Sequence, residues 1–365
     1  MSGPEAEEPV AGRLLREGET CWRTAHAGRL AFLIDGERYF GALASALERA
    51  ERRIWLVGWD FHTAVRLRRG SADTSERPND LVALLDALVR ERPSLRAHVL
   101  AWDFAALYSL ERQFLPLLQF GARTHRRIEF EMDAAHPAMA SHHQKLVVID
   151  DAVAFVGGFD VTTHRWDTRE HRPDDPRRTT PSGTAYAPFH DVQVLVDGEA
   201  ARCVAQVASA RWQRATGRRI EPLEAVSGDP WPADVDPDVE DCTVGLARTL
   251  PSLDGTPEVR EVEALYRESI RAARRAIYIE NQYLTAKRIA DELVARLGEP
   301  DGPDVVIVGP RANAGWLEEA TMGALRDDVV RRLRAADRGD RLRILYPDVR
   351  GLDASQILNV HAKVM

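Results

Sequence analysis

Apolar residues recur at helical spacing at Phe40, Leu43, Leu47 and Ala50, and a short apolar run, Ile54-Trp55-Leu56-Val57, follows. This pattern predicts a helix leading into a buried strand. Leu81, Leu84, Leu85 and Leu88 mark a second amphipathic helix, with Asn79 and Asp80 as candidate caps, and His98-Val99-Leu100-Ala101 marks the next strand. Residues 165–191 are polar and rich in Pro, Arg and Asp, which predicts a long loop of the kind that often carries function. Residues 192–196 read as a strand, and Val204, Val207, Ala208 and Trp212 as the buried face of a helix after it. Residues 221–241 are Pro- and Asp-rich with little periodicity and read as a linker. The pattern then resumes. Val262, Leu265, Tyr266 and Ile270 line a helix, Ile277-Tyr278-Ile279 and Val305-Val306-Ile307-Val308 are strands, 316–336 is helical and 343–346 is a strand. Strands alternating with helices of this length indicate α/β layers.

The two halves echo each other. Ala50-Glu51-Arg52-Arg53-Ile54-Trp55 returns as Ala273-Arg274-Arg275-Ala276-Ile277-Tyr278. Ile128-Glu129-Phe130-Glu131-Met132-Asp133 returns as Arg343-Ile344-Leu345-Tyr346-Pro347-Asp348, and His143-Gln144-Lys145 as His361-Ala362-Lys363. The order is the same, and the offset stays near roughly 220 residues, as a duplicated α/β lobe requires. The expected division is a tail over 1–20, a first lobe over 21–220, a linker over 221–250 and a second lobe over 251–365.

Bulk composition narrows the partners. A chain of 365 residues fits two domains, and its net charge of −8 lacks the basic excess of a nucleic-acid binder. Cys21, Cys203 and Cys242 are few and odd in number, as expected of reduced thiols. The acidic start lacks a secretory signal, and no apolar run approaches the roughly 20 residues that span a bilayer. The expectation is a soluble cytoplasmic protein, peripheral to a membrane at most. Of the 49 lysines and arginines only Lys145, Lys287 and Lys363 are lysines, so arginine fills all the others.

Two of those three lysines stand two residues after a histidine. His143-Gln144-Lys145-Leu146-Val147-Val148-Ile149-Asp150 has the form H-x-K-x4-D. On a strand, His143 and Lys145 share a face and Asp150 falls on the other. Val153-Ala154-Phe155-Val156 reads as the return strand, and Gly157-Gly158-Phe159-Asp160 ends it, with glycines that permit close approach of a backbone or ligand. A lysine supplies compact positive charge for phosphoryl oxygens. A histidine supplies a nucleophile or a general acid/base. Displacing one alcohol from phosphorus for another needs a second such group on the far side, which His361 with Lys363 supplies if the two lobes face each other. Trp59, Asp60 and His62 in the first half, and Glu280, Asn281 and Gln282 in the second, are candidates to line the cleft. His136 and His142 read as structural or solvent-facing. His164 and His171 lie in the polar loop without metal-ligand spacing, so no metal or cofactor is expected.

The run from His142 to Asp160, with Val161-Thr162-Thr163-His164-Arg165-Trp166-Asp167 after it, resembles the first catalytic motif of the phospholipase D superfamily. Pro188-Phe189-His190-Asp191-Val192-Gln193 resembles a segment that follows it there. Ile279-Glu280-Asn281-Gln282-Tyr283 resembles the block between the two motifs, and Leu358-Asn359-Val360-His361-Ala362-Lys363-Val364-Met365 resembles the opening of the second motif. The resemblance covers nearly the whole chain from about residue 30. It implies an α/β fold of two similar lobes, each a mixed sheet flanked by helices, related by a pseudo-twofold axis with the active site between them. It also implies two-step transfer through a phosphohistidine. His143 is favoured as nucleophile and His361 as acid and then base, an assignment the sequence leaves open. Lys145 and Lys363 would clamp phosphate oxygens and Asp150 would support the motif from behind. Asp160, Gly157, Gly158 and His190 would bind substrate. Two departures stand out. The usual G-S-x-N ending is Gly157-Gly158-Phe159-Asp160, a variant resembling lipid-acting members. The second motif's aspartate would fall beyond Met365, so a fragment or truncated reading frame with an incomplete second lobe is expected. The expected substrate is a phospholipid at a membrane surface, with water or an alcohol as acceptor. A cardiolipin-synthase-like transferase, a nuclease of the same superfamily and an inactive lipid- or partner-binding fragment are the alternatives.

Overall fold

The computed structural model describes residues 14–70, 76–103, 124–137, 140–224, 228–311, 322–352 and 357–365. The first part of the chain supplies β1 (Arg23–Ile34), β2 (Arg53–Gly58), β3 (Arg96–Trp102), β4 (Ile128–Asp133), β5 (Leu146–Ile149), β6 (Val153–Gly157), the two-residue β7 (Phe189–His190), β8 (Val192–Asp197) and β9 (Val239–Leu246). All but β7 form one sheet in the order β4-β3-β2-β5-β6-β8-β1-β9. Strands β2, β3 and β4 are parallel, and every other pairing in the sheet is antiparallel.

Helices cover both faces, which explains why the central strands read as unbroken apolar runs. Helices α1 (Asp35–Leu47) and α2 (Leu81–Glu91) bury Tyr39, Phe40, Leu43, Leu84 and Leu88 against Leu56, Val99, Val147 and Phe155. Helix α3 (Gly198–Thr216) buries Val204, Ala208 and Trp212 on the opposite face, against Trp55, Val57, Val148 and Ala154. The period-two alternation of β2 sends Leu56 one way and Trp55 and Val57 the other. Each such side chain contributes about 1.5–3 kcal/mol on burial.

The second part supplies the short β10 (Thr249–Leu250) and β11 (Val259–Arg260), then α4 (Glu261–Ala272), β12 (Ala276–Asn281), α5 (Lys287–Gly298), β13 (Asp304–Val308), α6 (Ala324–Ala336), β14 (Leu342–Leu345), β15 (Asn359–Val360) and β16 (Lys363–Val364). Its sheet runs β14-β13-β12-β16. Helices α4, α5 and α6 pack Ile270, Leu293, Leu297, Val329 and Leu333 onto Ile277, Ile279, Val305 and Ile307. The order and sense repeat those of β4-β3-β2-β5: three parallel strands with an antiparallel strand at the histidine–lysine pair. The two parts meet through β15, which pairs with β7 in parallel. The His361 N–H donates to the His190 carbonyl at 2.8 Å, and the Asn359 N–H to the Pro188 carbonyl at 3.0 Å.

Three details differ from the sequence reading. Residues 239–246, within the stretch expected to be linker, form β9 on the edge of the first sheet beside β1. Its edge position leaves most of its side chains at least partly exposed, which hides the strand from an apolar-pattern search. Strand β5 begins at Leu146, so His143 and Lys145 precede the strand rather than lie on it. Asp80 is the α2 N-cap without a side-chain cap bond, while the Asn79 Oδ1 accepts the Arg68 N–H at 2.7 Å. Residues 1–13 of the expected tail and 312–321 of the expected long helix lie outside the described residues.

Candidate active site

The β5–β6 hairpin fixes the first histidine–lysine pair. Asp150, at φ 55°, closes its turn, and its carboxylate accepts the N–H groups of Glu51, Arg52 and Arg53, each at 2.7 Å. Asp150 thus locks the start of β2 behind the site. Lys145 is buried, and its Nζ lies 3.1 Å from Asp160 Oδ2, the two side chains being 2% and 1% exposed. Burial pushes the lysine down and Asp160 opposes it. Asp160 also accepts the Trp59 N–H at 2.8 Å. Burial works against its charge, yet Lys145 and Arg165 hold Asp160 below the usual carboxylate range. Among the described residues, Asp160 is spent on holding Lys145.

The β7–β15 pairing delivers the second pair to the first. The rings of His143 and His361 lie with centroids 6.2 Å apart at an interplanar angle of 46°. Lys363 Nζ donates to Gln282 Oε1 at 3.0 Å, lies 3.0 Å from His361 Nδ1 and also bonds the His361 carbonyl. Trp59 stands edge-on to His143 at 6.1 Å and stacks on Trp102 at 5.6 Å.

Asp191 is the residue that sequence reasoning missed. Its Oδ2 lies 2.6 Å from His361 Nδ1, with the carboxylate fully buried. This is a hydrogen bond between the two parts of the chain that fixes the ring through Nδ1. Burial lowers His361 strongly, helped by Lys363, Arg165 and Lys145, and burial raises Asp191. The nearby cations favour a neutral imidazole donating Nδ1–H to a carboxylate. His143 is pushed down by desolvation and by Lys145 and Lys363, although its ring stays open at the cleft. Burial, with Lys145 close by, also lowers Lys363, whose surface remains open on one side.

The glycines admit protein rather than ligand. A Cβ on Gly158 would stand 2.0 Å from Asp191 Oδ1, and one on Gly157 would stand 2.5 Å from the Val192 carbonyl. Gly158 therefore lets Asp191 lie on the hairpin and point at His361. Its signal in the sequence is the carboxylate that directly follows His190 at the mouth of β8.

The remaining candidates divide. His190 bridges the two parts, 2.7 Å from Asp35 and 3.0 Å from Glu280. Burial opposes its charge, but these two carboxylates raise it to about 10, so it is an imidazolium at neutral pH. Asn281 Oδ1 accepts the N–H groups of Tyr283 and Leu284 and shapes the turn after β12. Asp60 accepts the Thr162 hydroxyl at 2.8 Å, and His62 accepts the Ala64 N–H at 3.2 Å. His136 accepts the Trp102 indole N–H at 3.0 Å, His142 lies 2.9 Å from Asp133, and His164 packs on Tyr186. Asp35, His171 and His190, far apart in sequence, each offer one ligand atom within 4.8 Å of the others. Among the described residues this is a group that could hold a metal ion, but both His190 ring nitrogens are engaged by Asp35 and Glu280.

The family model for phospholipase D matches residues 117–229, the stretch holding His143, Lys145 and Asp191. Over that stretch the chain is similar to phospholipase D. It is 28% identical over 210 residues to phospholipase D C of Dictyostelium discoideum, covering 50% of this chain and 12% of that one. It is 24% identical over 395 residues to phospholipase D alpha 1 of Zea mays, covering 81% of this chain and 48% of that one. The chain thus spans about half or less of the length of these relatives. Among solved structures, the phosphatidylserine synthase of Haemophilus influenzae Rd KW20 superposes with a TM-score of 0.56 at 12% identity, over 92% of this chain and 75% of that one. That likeness concerns the fold. In this chain the segment Gly157-Gly158-Phe159-Asp160 supplies the carboxylate beside Lys145. Among the described residues, no helix is long and apolar enough to cross a membrane.

Proposed function

We propose that the protein is a phosphodiesterase that transfers a phosphatidyl group from a phospholipid to water or an alcohol, with His143 as nucleophile and His361 as acid and then base. The 6.2 Å separation of the two imidazoles carries the reading. With ring centroids this close, a phosphoryl group held between the rings has one imidazole on each side, one for phosphorus and one for the leaving oxygen. Neutral His143 attacks phosphorus as the bond to the headgroup oxygen breaks, and His361 gives its proton to that oxygen. In the second step His361 takes the proton of water or an alcohol, whose oxygen attacks phosphorus as the P–N bond breaks. His143 is thereby restored. Asp191 supports the imidazolium form of His361 that the first step requires, and the arriving phosphodiester offsets the cations that otherwise disfavour it. Lys145 and Lys363 hold the non-bridging oxygens as charge develops.

Among the described residues, His361 has a carboxylate hydrogen-bond partner and His143 has none, which favours this division of roles. Trp59 and Trp102 form an apolar wall beside His143 for the lipid side of the substrate. The test is phosphatidylcholine vesicles with a short primary alcohol: phosphatidylalcohol is expected from the wild type and falls by at least about a thousandfold in His143→Ala and His361→Ala. Cleavage of metal-free nucleic acid with no lipid product would support the nuclease alternative instead.

A further inference from the structure

We propose that Arg165 recognises an anionic group, carboxylate or phosphate, on the alcohol that leaves or enters at His361; this rests on the transfer reading above. The backbone at Arg165 is pinned. Its carbonyl oxygen and the Trp166 Cα lie 2.5 and 2.6 Å from where a Cβ on Gly36 would stand, and the Glu37 N–H donates to the Asp167 carbonyl at 2.8 Å. Trp166, fully buried, anchors the next position. From this fixed point the guanidinium crosses the Phe189 ring, with Cζ 4.9 Å from its centroid. The same ring lies 5.4 Å from that of His361. Arg165 and the acid–base histidine therefore share one aromatic floor.

The guanidinium is poorly partnered there. Its Nε is buried with no hydrogen-bond partner, and Nη1 only approaches the neighbouring His164 carbonyl at 3.4 Å. Among the described residues no carboxylate pairs with it. The two carboxylates of the site are engaged elsewhere, Asp160 with Lys145 and Asp191 with His361. A permanent cation with unused fork donors matches a carboxylate or phosphate. Charge balance points the same way. With His361 protonated, the cluster of Lys145, Lys363, Arg165, His361, Asp160 and Asp191 carries two surplus positive charges. A phosphodiester neutralises one, and an anionic headgroup neutralises the other.

The experiment is transfer from phosphatidylcholine vesicles to L-serine, to glycerol 3-phosphate and to ethanol, each over a concentration series. The wild type is expected to use one or both anionic alcohols at higher kcat/KM than ethanol, and the better arm tells carboxylate from phosphate. In Arg165→Gln the ratio of that kcat/KM to the ethanol value falls by about 30-fold or more, the scale of a lost charge pair, and Arg165→Lys recovers part of it. An equal loss with all three acceptors, or a wild type without preference for either anion, overturns the assignment of Arg165 alone. Absence of any His143-dependent transfer by the wild type defeats the transfer reading itself, and this inference with it. Partial recovery by the lysine variant excludes simple misfolding as the cause of the glutamine variant's loss.

Discussion

Gly158 and Asp191 show how one backbone position sets a carboxylate against the His361 ring. Because a Cβ on Gly158 would overlap the Asp191 carboxylate, Gly158→Ala is expected to displace Asp191 and lower kcat by about 100-fold, in the range of a lost acid–base contribution. Asp191→Asn should cost a similar factor and also move the alkaline limb of the kcat profile to lower pH. The sign follows from the chemistry: in the proposed first step His361 acts protonated, and removing the anion beside Nδ1 makes that form harder to keep. A limb that stays in place in both variants would remove Asp191 from the account of proton transfer. At this scale the histidine–lysine pairs were legible in the sequence, because scarce lysines stood out. Asp191 was not, because its role comes from a contact between residues far apart in the chain. His190 was legible as important, yet its partners Asp35 and Glu280 assign it to a bridge between the two parts.

Among elements, the strongest sequence signal came from strands buried on both faces. The run 54–57 needs helices above and below it, and α1, α2 and α3 provide them. Trp212 on α3 is fully buried against Trp55 at 5.8 Å and His98 at 5.0 Å. Trp212→Ala should therefore destabilise the first sheet by about 3–5 kcal/mol, measured by denaturant unfolding. A loss under about 1 kcal/mol would mean that α3 is not a main cover of that face. Edge strand β9 escaped the sequence reading for the converse reason: with few buried side chains it carries little apolar pattern. The repeat of 50–55 at 273–278 was legible because both segments lead into equivalent strands, β2 and β12.

For the whole molecule, the two parts are joined at the site by the β7–β15 pairing and by the Asp35–His190–Glu280 bridge. The bridge makes stability depend on pH in a defined direction. His190 is raised from an ordinary 6.5 to about 10 in the folded state. Its stabilisation is complete below pH 6.5 and is lost as pH rises toward 10. Glu280→Gln should lower the melting temperature most near pH 6–7, with a gap from wild type that closes by about pH 10. A gap independent of pH would show that the bridge is not charged.

The central claim is that one phosphorus atom passes through a covalent bond to His143. The most direct measurement is rapid acid-free quenching of the protein with a short-chain phospholipid, followed by mass spectrometry of the peptides carrying 143 and 361. A phosphatidyl adduct on His143, enriched when His361→Ala blocks its removal, is the predicted result. An adduct on His361, or turnover with no histidine adduct at all, would contradict it.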